Sequence, residues 1–119
     1  MPANGRFSYE TWIIPKKHFT YFENSTDDEL VDFAEVILKT IQSLNNTLKA
    51  PSFNLIFQNG TYDFEDKSFF HWYIQIFPRT YHLAGFEWAT GLYINPVEPE
   101  TAALQLKKNI SQRGKNEAI

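Results

Sequence analysis

The sequence contains no cysteine. Disulfide frameworks and thiolate zinc sites are therefore excluded. Its only imidazoles are His18, His71 and His82, and none stands at helical or alternate-strand spacing from a second histidine or a carboxylate. A metal centre needs three or four converging ligands, so none is legible. Glycine-rich phosphate loops, P-loops and nucleophile elbows are missing too. No apolar run approaches membrane-spanning length, and the first residues lack the profile of a secretory leader. The expectation is a cytoplasmic protein without membrane contact. A formal charge of −3, with no basic stripe, argues against a nucleic-acid surface.

What the chain does have is aromatic side chains, 17% of its 119 residues. They allow so short a chain to bury a core as one domain, residues 1–119. The organising stretch is Phe69 to Arg79. β-Branched, aromatic and amide side chains fill it, which predicts a strand. Alternation puts Phe70, Trp72, Ile74 and Ile76 on one face, and Phe69, His71, Tyr73, Gln75 and Phe77 on the other. Burying each of the four apolar residues contributes about 1.5–3 kcal/mol before entropy costs, enough to fix the register. The hydrogen-bonding row His71, Tyr73, Gln75 is the candidate site. Pro78 ends the ladder.

The remaining elements follow from local signals. Phe7 to Ile14 reads as a first strand closed by Pro15, and Lys16-Lys17-His18 as a turn. Thr26-Asp27-Asp28-Glu29 is a capping box opening a helix over 27–48. Leu30, Phe33, Ala34, Ile37, Leu38, Ile41 and Leu44 form its apolar stripe. Ser52 to Gln58 reads as a strand with Phe53, Leu55 and Phe57 on one face, and Asn59-Gly60 as a turn opening a polar loop to Ser68. Glu65 and Asp66 in that loop read as solvated. Arg79 to Leu83 is a loop, Gly91 marks a bulge or close approach, and Leu92-Tyr93-Ile94 is a last short strand. Pro99 opens a shorter helix, and Gln112 to Ile119 reads as a frayed polar tail. The expected class is α+β: a mainly antiparallel sheet with one long helix across it.

Phe70-His71-Trp72-Tyr73-Ile74-Gln75-Ile76-Phe77-Pro78-Arg79, followed by Ala84-Gly85-Phe86-Glu87-Trp88 and Gly91-Leu92-Tyr93-Ile94-Asn95-Pro96, resembles the C-terminal half of galactose-1-phosphate uridylyltransferase. The opening block Arg6 to His18 is similar to the start of that half. The resemblance spans about residues 6–107 and implies a histidine-triad-like, antiparallel half-barrel with a helix packed on it. It also implies UMP transfer between UDP-glucose and a hexose 1-phosphate, through a His-Pro-His nucleophile in the other half of the enzyme. This chain has no His-Pro-His, so no catalytic residue is expected in it, and the isolated chain is expected to be inactive.

The family's metal-binding imidazoles fall at positions held here by Gln58, His71 and Tyr73. The expectation is that no zinc or iron site survives, and no other cofactor is called for. The family's sugar contacts fall on Gly85-Phe86-Glu87 and on Asn95, with Arg79 placed to meet a phosphate and His71 as a further ligand contact. Other readings stand beside these: a solvated strand-end carboxylate for Glu87, a turn residue for Asn95, a surface ion pair for Arg79, and for His71 a hydrogen-bonded structural imidazole or a residual metal ligand. The partners implied are a hexose 1-phosphate or nucleotide sugar, the N-terminal half of the same enzyme, and a second copy in a homodimer. The rival functions are a non-catalytic nucleotide or sugar-phosphate binding module and a structural dimerisation domain.

Overall fold

The computed structural model describes residues 1–61 and 69–116, with side chains to residue 110. The polar loop expected after Asn59-Gly60, with Glu65 and Asp66, lies almost wholly outside the described residues. The elements in order are β1 (Thr11–Ile13), a 3-10 turn (Phe22–Asn24), α1 (Asp27–Leu48), β2 (Phe53–Gln58), β3 (Tyr73–Pro78), α2 (Gly85–Thr90) and α3 (Pro99–Asn116). The class is α+β, as expected.

The three strands form an antiparallel sheet ordered β1-β3-β2. The central position falls to β3, whose run has the strongest strand chemistry. Ile13 and Phe57 flank Ile74, Thr11 and Leu55 flank Ile76, and Trp12 and Ile56 flank Gln75. The inner face follows the apolar row: Trp72, Ile74 and Ile76 are buried with Tyr9, Ile13 and Leu44, and with Ala102 and Leu106 of α3. Phe33 of α1 meets Trp72 edge-on, centroids 5.0 Å apart.

Helix α1 opens as the capping box predicts. The Thr26 hydroxyl accepts from Glu29 N at 3.3 Å, and Glu29 accepts from Thr26 N at 2.8 Å. It closes without glycine: Lys49 and Ala50 both take left-handed backbone, φ 58° each. Helices α1 and α3 are joined by Ser43 Oγ donating to Leu106 O at 2.8 Å and Asn109 Nδ2 donating to Thr47 Oγ1 at 2.7 Å.

Several expected boundaries move. The first strand is only three residues long, because Tyr9 turns into left-handed backbone (φ 62°) and breaks the extended run. Tyr9 is buried and its hydroxyl donates to Gln105 of α3. The central strand begins at Tyr73, not Phe69. Ala34 and Leu38 of the expected stripe are exposed, since the sheet takes only the Phe33, Ile37 and Leu44 side of α1. Leu92–Ile94 forms no strand, and α3 continues helical to Asn116 where a tail was expected from Gln112.

Candidate functional site

The outer face of the sheet carries the row His71, Tyr73, Gln75. Strand alternation and register set Trp12 of β1 and Gln58 of β2 on the same face. The row is not an open ledge. Gln75 is only 5% exposed, and its amide oxygen accepts from Gln58 Nε2 at 2.9 Å. The Tyr73 ring stacks on Trp12, centroids 4.9 Å apart and 23° between planes. Trp12 Nε1 donates at 2.7 Å to Glu10, whose other oxygen accepts from Arg6 N at 2.8 Å. Glu10 is buried, yet three N–H donors meet its carboxylate. The N-terminal segment thus folds over the row, with Phe7 edge-on to Phe77 at 5.4 Å.

His71 lies at the end of this row. Its ring is 4.8 Å from that of His18, and its Nε2 is buried without a hydrogen-bond partner among the described residues. The positions that the resemblance assigns to a metal therefore offer one imidazole, an amide already bonded to Gln75, and a phenol stacked on Trp12. That donor set does not fit zinc or iron. Among the described residues, no group of three or more histidines, cysteines or carboxylates is placed to hold a metal ion.

The second constellation is the segment after β3. Gly85–Thr90 is a short helix, not the strand end that its aromatic residues suggest. Local hydrogen bonding outweighs β propensity here: Glu87 Oε2 accepts from Ala84 N at 3.1 Å, Thr90 Oγ1 donates to Phe86 O at 2.8 Å, and Gly91 closes the turn at φ 69° with its N–H on Glu87 O at 2.9 Å. Gly91 is thus a helix C-cap, not a bulge. Tyr81 donates to Ile94 O at 2.9 Å, bracing the far side of the segment. Burial, and then the nearness of Glu87 and Tyr93, hold its phenol above the ordinary tyrosine range. Phe86, Trp88, Leu92, Tyr93 and Ile94 are all exposed.

Asn95 faces the N-terminal segment. Its Nδ2 donates to Gly5 O (3.0 Å) and Phe7 O (3.4 Å), while its Oδ1 accepts from Ser8 Oγ (3.1 Å) and Val97 N (3.2 Å). Both amide atoms are committed within the chain, a role beyond the simple turn residue of the bland reading. Arg79 has an exposed side chain, with its backbone N–H on Ser52 O at 2.8 Å. The structure thus brings His71 together with Tyr73 and Gln75 on one face, and Glu87 with Phe86 on α2. Sequence reasoning missed Trp12 and Tyr81. The Trp12-Tyr73 stack was signalled only by two aromatics on flanking strands, and nothing local marked Tyr81.

The three-stranded antiparallel sheet under a long helix is the arrangement of the histidine-triad fold. A zinc-bound histidine triad family protein from Mycobacterium smegmatis superposes with a TM-score of 0.64 at 16% identity, over 98% of this chain and 78% of that one. Nearer relatives are larger. ADP-glucose phosphorylase of Arabidopsis thaliana is 31% identical over 109 residues, covering 90% of this chain and 31% of its own length. Galactose-1-phosphate uridylyltransferase of Thermotoga maritima is 32% identical over 117 residues, covering 91% and 36%. The crystal structure of the Arabidopsis phosphorylase with bound ADP-glucose superposes with a TM-score of 0.84 at 32% identity, over 89% of this chain and 35% of that one. No family model matches. The chain is homologous to these nucleotidyltransferase-type enzymes and spans about a third of their length.

Proposed function

We propose that this chain acts as the C-terminal domain of a sugar-nucleotide transferase of the galactose-1-phosphate uridylyltransferase kind. In this reading it supplies sugar-recognition and subunit contacts, while a complementary half supplies the nucleophilic histidine. The observation that carries the reading is the central-strand row. The positions where such a fold carries alternating imidazoles hold His71, Tyr73 and Gln75, and Gln75 is buried and bonded to Gln58. An amide and a stacked phenol form no phosphohistidine-type intermediate. The metal of the family enzyme has no place in this domain for the same reason.

The recognition surface in this reading is α2 and its neighbours. Glu87 offers a carboxylate to sugar hydroxyls, Phe86 an aromatic face, and Arg79 a guanidinium to a phosphate. His71 is a further contact at the end of the sheet. Asn95 holds the segment in place from behind. The partner surface is supported by the exposed apolar run Phe86, Trp88, Leu92, Tyr93, Ile94 and by edge strand β2, with Phe53, Ile56 and Phe57 exposed. The radius of gyration, 16.5 Å, exceeds the roughly 13.5 Å of a compact domain of this length, which suits elements that pack on another chain.

The test is a titration with ADP-glucose, UDP-glucose and hexose 1-phosphates, followed by amide chemical shifts. Shifts at Gly85–Thr90 and Arg79, weakened by Glu87→Gln, are the expected result. Shifts confined to other surfaces contradict the assignment of the recognition surface.

A further inference from the structure

Asparagine followed by glycine is prone to spontaneous deamidation, because glycine has no Cβ to obstruct attack by its own backbone nitrogen. The chain holds this pair twice, at Asn4-Gly5 and at Asn59-Gly60. In the reaction the glycine nitrogen gives up its proton and bonds to the asparagine Cγ. The bond from Cγ to Nδ2 breaks, and Nδ2 leaves as ammonia with that proton. Solvent water then opens the five-membered succinimide at either carbonyl, leaving aspartate or isoaspartate. Attack needs a side-chain amide free to turn and a glycine nitrogen free to meet it.

The structure treats the two pairs differently. Asn59 Oδ1 accepts from Phe22 N at 2.8 Å and its Nδ2 donates to Glu23 Oε2 at 3.1 Å. Gly60 N donates to Thr20 O at 3.0 Å, and Gly60 is buried. Bringing Gly60 N onto Asn59 Cγ breaks the bond to Thr20 and turns the amide off Phe22 and Glu23, so it requires the loop to open. The Asn4 side chain, by contrast, is exposed and makes no hydrogen bond among the described residues. Gly5 N makes a longer, local bond to Pro2 O at 3.3 Å, across an exposed turn.

We propose that Asn4 is a deamidation site in the folded protein, while the fold withholds the same reaction at Asn59. The consequences differ in the same sense. Asn95 Nδ2 holds Gly5 O at 3.0 Å and Glu10 holds Arg6 N at 2.8 Å. Both bonds lie beyond the altered linkage and survive it. Aspartate at position 59 would set a carboxylate oxygen where Nδ2 now meets Glu23, and like charges so close repel. Isoaspartate there would lengthen a backbone pinned to Thr20 and Phe22. This inference does not rest on the sugar-recognition reading.

The experiment incubates the chain at mildly alkaline pH, folded and in urea, and follows both sites by peptide mass spectrometry that separates aspartate from isoaspartate. Asn4 should convert at the same rate in both states. Asn59 should convert in urea, and more slowly by at least about tenfold in the folded chain, the equivalent of one or two lost hydrogen bonds. Glu23→Ala, at an exposed position, should speed Asn59 severalfold in the folded chain and leave Asn4 unchanged. Gly5→Val should suppress conversion of Asn4. Folded Asn4 as slow as folded Asn59 overturns the open site, and Asn59 at its unfolded rate overturns the withholding. An Asn59 rate indifferent to Glu23→Ala overturns the part given to its side-chain bonds, and an Asn4 rate indifferent to Gly5→Val overturns the succinimide route.

Discussion

Gln58 reaches diagonally across the β2-β3 pair, and its amide nitrogen donates to the amide oxygen of Gln75 at 2.9 Å. Gln75 is buried, so this bond satisfies an acceptor that has no water to turn to. Gln58→Ala should therefore cost about 1–3 kcal/mol, the penalty of an unsatisfied buried group. Replacing both with leucine should recover much of the loss. Denaturant melts of the two variants decide this. A double variant no better than Gln58→Ala alone would show that the amides do more than satisfy each other.

Gly60 approaches Thr20 closely, its N–H on Thr20 O at 3.0 Å. A Cβ at position 60 would lie 2.5 Å from Thr20 Cγ2 and 2.9 Å from Thr20 O. Beside it, Asn59 Oδ1 accepts from Phe22 N at 2.8 Å and its Nδ2 donates to Glu23 at 3.1 Å. Gly60→Ala should destabilise by roughly 1–3 kcal/mol through overpacking, and should loosen the loop that carries His18 beside His71. Hydrogen exchange at Phe22 and Trp72 N–H is the direct readout. Unchanged protection there contradicts the view that the Gly60 and Asn59 contacts hold this loop in place.

The end of α1 offers the opposite test. Lys49 and Ala50 both hold left-handed backbone and both are exposed. Such a conformation costs an L-residue about 1–2 kcal/mol that glycine does not incur. Ala50→Gly should stabilise the protein by about 0.5–1 kcal/mol after the added freedom of the unfolded chain is subtracted. A lower melting temperature would contradict it.

At the other end of α1, the Thr26 backbone N–H above all holds the Glu29 carboxyl below its ordinary value; desolvation, the next largest effect, opposes it, and the Thr26 hydroxyl and Lys17 add smaller lowering effects. A depressed folded-state value stabilises the fold above the unfolded-state value, and that stabilisation is lost as pH falls through the folded one. Wild type and Glu29→Gln should differ in stability at neutral pH and converge in acid. A constant difference across that range would show that the capping box owes nothing to charge.

The parts legible in the sequence were those fixed by local chemistry or by strong periodicity. The box at Thr26-Glu29 announced α1, and the apolar alternation at Trp72, Ile74 and Ile76 announced both the central strand and its inner face. The helix at Gly85–Thr90 was not legible, because Phe86 and Trp88 favour strands, while the bonds that make it, from Glu87 back to Ala84 and from Thr90 back to Phe86, are invisible to propensity. Tyr9 cut the first strand short because its ring and hydroxyl are held by α3, ninety-six residues away. Asn95 could be read as a turn residue, but not as the clamp on Gly5, Phe7 and Ser8, since those partners are close only after folding.

The central claim, that this domain contributes recognition but no nucleophile, is tested most directly by assaying the pure chain for nucleotidyl transfer between a nucleotide sugar and a hexose 1-phosphate. No turnover and no covalent nucleotidyl-protein adduct by mass spectrometry is the result the account predicts. Sustained turnover, abolished by His71→Ala, would contradict it.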